Sequence, residues 1–334
     1  MIARSQPKIE TADWQHELRV AFSRPQELLA ALGLEPAAVG LSEAAAADFP
    51  LRVPRPFVAR MRPGDPTDPL LRQVLPVAAE TRRQRGFVSD PVGDLAAEAQ
   101  PGLLHKYRGR ALLLVTGACA INCRYCFRRA FPYSDSVGTA RLDAAVTALA
   151  GMPDIDEVIL SGGDPLSLRD ERLAALVERL AALPHLRRLR VHTRLPVTIP
   201  ARITPALLDW LTGTRLQPVV VLHVNHAREL DASVATALAP LRRAGVPLLN
   251  QAVLLRGVND DAAALAELST RLFECGVLPY YLHQLDRVRG AAHFDVPVRR
   301  ARALLRTLRQ SLPGYLVPKL VREIAGEASK TPLA

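Results

Sequence analysis

The chain has 334 residues, 49% hydrophobic and 23% charged, enough for one large α/β domain or two ordinary ones around a sizeable core. No apolar run reaches the roughly eighteen residues of a membrane span, and the opening MIARSQPKIETADW holds no secretion-type apolar segment, so a cytoplasmic protein with no membrane partner is expected. The net charge of +10 raises nucleic acid as a partner, but only four of the 43 basic residues are lysine (Lys8, Lys106, Lys319 and Lys330). The arginines are scattered through helical stretches such as ERLAALVERL, with no aromatic-interleaved stripe. That pattern implies a solvated basic surface and no nucleic-acid partner.

Residues 1–100 read as helical pieces with proline breaks: RPQELLAALGL, EAAAADF, then LRVPRPFVARMRPGDPTDPL. A mostly helical N-terminal extension is expected there. From residue 111 the pattern becomes regular. Short β-branched runs stand at 111–116, 157–161, 189–193, 218–224, 248–254 and 278–283, and each is followed by a helical stretch. Six β/α units imply a parallel sheet with helices outside, an α/β fold best read as a partial (β/α)6 barrel over 101–310. An open doubly wound sheet is the alternative, and residues 311–334 form a separate C-terminal segment. In either fold, function belongs at the C-terminal ends of the strands. The polar outliers fall there: cysteines after the first strand, SGGDP after the second, HTR after the third, HVNH at the fourth, NQ within the fifth and HQLD after the sixth.

Three of the four cysteines lie in GACAINCRYCFRR: Cys119, Cys123 and Cys126, spaced C-x3-C-x2-C. A disulfide suits neither a reducing compartment nor an odd number of thiols. Structural zinc generally takes four ligands, and the nearest fourth here is distant. The remaining reading is a [4Fe-4S] cluster held by thiolates. Three thiolates on four irons leave one iron open to a small molecule.

With Tyr125 before the last cysteine, this loop at the end of a first barrel strand resembles the radical S-adenosylmethionine superfamily. The resemblance implies that the open iron binds S-adenosylmethionine and that electron transfer cleaves it to a 5′-deoxyadenosyl radical. SGGDP resembles the family's glycine-rich motif, with Gly162 and Gly163 allowing close backbone approach and Asp164 accepting from the cofactor's ammonium. Taken alone, such a triplet is generally a turn.

The C-terminal GYLVPKLVREIAGEASKTP resembles the pyridoxal phosphate segment of the lysine 2,3-aminomutase family, and the likeness runs from about residue 100 to 334. It implies that Lys330 forms the Schiff base with pyridoxal 5′-phosphate; Lys319, in a V-P-K-L run, lies away from that loop. It implies further that Lys106 and Arg110 hold the cofactor phosphate and that Arg128 pairs with the substrate carboxylate, for which a guanidinium fork is suited. His223 and Gln251 match positions that contact S-adenosylmethionine. Asp286, in HQLD, and Glu323, where many relatives have aspartate, match the pair that binds a side-chain ammonium. Two acids there favour L-lysine over glutamate as substrate. The zinc-binding C-terminal cysteines of longer family members are absent, so no zinc is expected, and Cys275 reads as a small buried residue. The short chain is similar to the bacterial branch that makes (R)-β-lysine for modification of translation elongation factor P. A homo-oligomer is possible on this reading. Two rivals stand beside it: a radical enzyme that modifies RNA, and a non-enzymatic metal-binding module.

Overall fold

The run EVILSG at Glu157–Gly162 is buried at every position, as a central parallel strand covered on both faces requires. In the computed structural model, which describes residues 13–334 and so leaves Lys8 outside, this strand sits within one sheet of ten strands arranged in sequence order. They are β1 (Glu98–Gln100), β2 (Leu103–Tyr107), β3 (Arg110–Thr116), β4 (Glu157–Gly162), β5 (Arg188–Thr193), β6 (Gln217–Leu222), β7 (Leu248–Leu254), β8 (Leu278–Gln284), β9 (Lys319–Arg322) and β10 (Thr331–Pro332). Neighbours from β3 to β9 pair in parallel. β1 and β2 add antiparallel at one edge and β10 at the other.

The six expected strands are present as β3–β8, each followed by its helix. The helices start where the sequence offers caps: Thr204, Asp231 and Asp261 each accept from a first-turn amide. The last, Val298–Ser311, buries Ala301, Leu304, Leu305 and Leu308 and turns its arginines outward. One expectation needs correction. Residues 311–334 are no separate unit, because KLVR extends the sheet as a seventh parallel strand and Thr331–Pro332 folds back on it. Four residues with a charge at each end carry no periodicity of their own; pairing with β8 makes them a strand.

The N-terminal extension builds its own core from Phe22, Leu28, Phe57, Leu70, Leu71 and neighbours, and Ile121 of the cysteine loop inserts into it. An isolated parallel bridge between Val88 and Val288 ties the following segment to the loop after β8, and Asp94, six residues on, lines the cavity described below. Sequence order leaves β1 and β10 as sheet edges. Curvature nonetheless brings Lys106 on β2 within 2.9 Å of Glu323, just past β9. The barrel's seam is therefore crossed by an ion pair instead of a strand ladder.

Candidate active site

The cysteine loop leaves β3 and is pinned from two sides. On one side, Arg124, fully buried, donates Nε and Nη2 to Glu80 and Nη2 to the carbonyl of Ala45. On the other, the turn after β4 lies backbone to backbone against the loop: Gly163 N donates to Thr116 O at 2.7 Å and Asp164 N to Ala118 O at 2.8 Å. A Cβ on Gly163 would fall 2.3 Å from Ala118 O, and Gly162, at φ +124, would meet Thr116 O at the same distance. The close approach made by these glycines is thus to the cysteine loop itself.

The Asp164 carboxylate does something other than the sequence reading assigned. Its oxygens accept from Thr193 Oγ1 at 2.7 Å and from the amides of Arg194, Leu195 and Leu166 at 2.7, 3.0 and 3.0 Å. Four donors fill the lone pairs of a carboxylate, so none remains for an incoming ammonium. Asp164 instead ties the turn after β4 to the turn after β5.

All fourteen candidate residues line one cavity of about 300 Å³ that runs from the C-terminal ends of the strands to Arg110 at the start of β3. Cys119, Cys123 and Cys126 are its sulfur wall. Among the described residues no three His, Cys, Asp or Glu side chains close on a single metal ion. Burial raises the Cys119 thiol, with Cys126, Asp164 and Cys123 adding to the effect. Burial and then Cys123 push Cys126 to about 11. Thiols such as Cys119 and Cys126, which resist ionisation here, fit a site whose thiolates are stabilised by iron.

A chain of ion pairs runs on from the last cysteine. Arg128, nearly buried, gives Nε to Asp94 at 2.6 Å and Nη1 to Ser161 at 3.1 Å. Asp94 also takes Lys106 at 2.5 Å, Lys106 reaches Glu323 Oε1 at 2.9 Å, and Glu323 Oε2 takes Lys330 at 2.5 Å. Against the upward push of burial, Lys330 and then Lys106 hold Glu323 at about 2. Arg110 begins β3 and lies over the Tyr107 ring, 4.6 Å from its centroid. This part of the cavity thus gathers four cations, Lys106, Arg110, Arg128 and Lys330, against two ionised acids, Asp94 and Glu323. That excess suits a phosphate and a carboxylate, and only Lys330 is a lysine with a single carboxylate partner here. The donor set fits pyridoxal phosphate.

Asp286 lies just past β8, and Glu323 just past β9, the strand that pairs with β8; Asp286 makes no side-chain hydrogen bond among the described residues. Burial, and then the nearby Glu323, push it up to about 7. His223, one residue past β6, meets Gln251 Nε2 at 2.6 Å. Burial holds His223 down at about 3 and keeps His192 and His283 well below the usual imidazole range. The three rings are neutral, polar but uncharged walls for a cationic ligand.

Ser161, His192, Arg194 and His283 stand in the polar motifs SGGDP, HTR and HQLD, but sequence reasoning gave them no role, and it missed Asp94 altogether. Asp94 lies in PVGDLAA, which carries no signal.

A β/α barrel with three cysteines at the end of its first parallel strand defines the radical S-adenosylmethionine class, and residues 113–268 match the family model described as "Radical SAM superfamily". The chain is 52% identical to the L-lysine 2,3-aminomutase of Escherichia coli K12 over 96% of its length and 94% of that protein's. It is 49% identical to the L-lysine 2,3-aminomutase of Haemophilus influenzae over 96% of each. The enzyme of that name from Clostridium subterminale is 38% identical over 83% of this chain and 67% of its own length. The chain belongs to the lysine 2,3-aminomutase family.

Proposed function

We propose that the protein is an isomerase that moves the amino group of L-lysine from C2 to C3, giving β-lysine. The observation that carries this is convergence: Lys330 and Lys106 meet on Glu323 in the cavity that also holds the three cysteines. When bound, the iron–sulfur cluster with S-adenosylmethionine supplies a radical that takes and returns hydrogen, and pyridoxal phosphate supplies the carrier of the migrating nitrogen.

The residues then divide the work. Cys119, Cys123 and Cys126 hold iron. His223 and Gln251 contact S-adenosylmethionine beside the backbone of Gly162 and Gly163. Lys330 attaches pyridoxal phosphate, and Lys106 and Arg110 take its phosphate. Arg128, with Asp94 fixing Nε and Ser161 holding Nη1, has no partner for Nη2 among the described residues and turns it to the substrate carboxylate. Asp286 and Glu323 receive the ε-ammonium. Glu323 Oε2 is held by Lys330, so loss of the Lys330 charge frees that oxygen for a second ammonium. Anchoring both ends of lysine leaves C3 as the carbon presented to the radical, and such positioning is the protein's main contribution when cofactors carry the chemistry.

The resemblance to the short bacterial branch supports (R)-β-lysine as product, a link to elongation factor P lysylation, and a cytoplasmic setting; among the described residues no helix is long and apolar enough to cross a membrane. A homo-oligomer belongs to the same reading. The test is anaerobic reconstitution with iron, sulfide and pyridoxal phosphate, then L-lysine, S-adenosylmethionine and a reductant. Wild type should form β-lysine, resolved by chiral chromatography, and Lys330→Ala should form none. No β-lysine from an iron-loaded wild type would refute the assignment.

A further inference from the structure

HTR, at the end of β5, has no part in the assignment above. Its arginine, Arg194, is buried. Nη1 donates to Cys123 Sγ at 2.8 Å and to Tyr125 Oη at 2.8 Å. Nη2 donates to Gln73 Oε1 at 2.7 Å and to Glu229 Oε2 at 2.8 Å. A guanidinium taken this far out of water is costly unless paired and fully hydrogen-bonded. An apolar side chain would fill the same space without that cost.

Each partner is itself fixed. Glu229, wholly buried, accepts on Oε1 from Gln73 Nε2 and from the amides of Asn225 and His226. Asn225 Nδ2 donates to Tyr125 Oη at 2.6 Å and to Gln73 Oε1 at 2.9 Å. The Arg194 backbone is held by Asp164. Three separate elements, together with the turn after β4, therefore hold one guanidinium edge against one cluster sulfur. The ion pair is oriented, with its positive end on Cys123 and its negative end, Glu229, on the far side.

We infer that Arg194 is a positioning residue that sets the reduction potential of the cluster through Cys123, with Glu229 opposing it. Hydrogen bonds to the sulfurs and nearby net charge are the protein's means of tuning such a cluster. One-electron reduction adds negative charge to a cluster already bound by three thiolates. A cation at one of those sulfurs favours the reduced state; an anion behind it moderates the effect. The inference rests on the cluster reading and needs nothing from the lysine chemistry.

The experiment is an anaerobic redox titration of the reconstituted protein, following the reduced cluster by electron paramagnetic resonance, with iron counted per chain. Arg194→Met should lower the reduced-to-oxidised ratio at a fixed potential about tenfold or more, ~59 mV for one electron. Glu229→Gln should raise that ratio. Arg194→Lys, which retains the charge, should stay within about threefold of wild type. If Arg194→Met fails to load iron, the other two variants decide. A structural role alone gives no opposed pair of shifts. Shifts of one sign in both charge variants, or none, in iron-loaded protein overturn the inference and leave the cluster reading intact. A wild type that takes up no iron would sink the cluster reading itself.

Discussion

Replacing Asp286 by asparagine should stabilise the cofactor-free protein, and increasingly so as pH rises. Burial and the charge of Glu323 push this carboxyl from its ordinary 3.8 to about 7. Below the lower value both folded and unfolded chains hold the proton, and the group contributes nothing. Between the two values the folded chain keeps a proton that the unfolded chain has lost, so stability falls as pH rises. Above about 7 the penalty is complete. At about 1.36 kcal/mol for each pH unit, the penalty is about 2 kcal/mol at pH 5.5 and about 4 kcal/mol at pH 8. These are upper bounds, because the side chain keeps some access to the cavity. A neutral amide in place of the acid carries no such penalty. Urea unfolding of the cofactor-free wild type and Asp286→Asn should show the variant's advantage growing by up to about 2 kcal/mol from pH 5.5 to 8. The holoenzyme should behave oppositely, with a KM for L-lysine raised on the order of 100-fold in the variant. An advantage that does not change with pH, or a wild type that gains relative to the variant at pH 8, would refute the reasoning.

Three further perturbations follow from the packing. Gly163→Ala places a methyl 2.3 Å from the Ala118 carbonyl; the loop must move, and iron bound per chain after reconstitution should fall by more than half, with a loss of about 2 kcal/mol in unfolding free energy. Asp94→Asn removes the charge shared by Arg128 and Lys106. Leaving buried cations underpaired costs about 3 kcal/mol, so kcat/KM for L-lysine should drop on the order of 100-fold while iron content stays unchanged. Arg124→Met leaves Glu80 with only Arg129 as an ionic partner among the described residues. It should destabilise the protein by about 3 kcal/mol, read as a lowered thermal midpoint.

The barrel was legible because its pattern is local. Strands such as PVVVLHV and capped amphipathic helices announce themselves within a dozen residues. The cysteine loop was legible because three thiols in eight residues have few other uses. β9 was not, because KLVR is a strand only by virtue of β8. Asp94 and Glu229 were not legible either. Each is an ordinary acid in a loop until folding brings a cation to it from far along the chain. The reading of Asp164 failed for a related reason: from sequence its four donors were invisible, two of them amides beyond the following strand. What the sequence could place were residue types; which groups were already occupied by neighbours emerged only in three dimensions.

The ionic seam bears on when the site comes into being. Lys106 and Glu323 are 217 positions apart, and contacts between such distant parts of a chain tend to close late in folding. The Lys330–Glu323 pair, seven residues apart, and the Asp94 pairs with Lys106 and Arg128 are more local and can form earlier. Closing the seam is what joins these two ionic groups into one chain. On the function proposed above, the site that anchors the substrate is thus completed at a late step of assembly, after the cysteine loop has its own contacts.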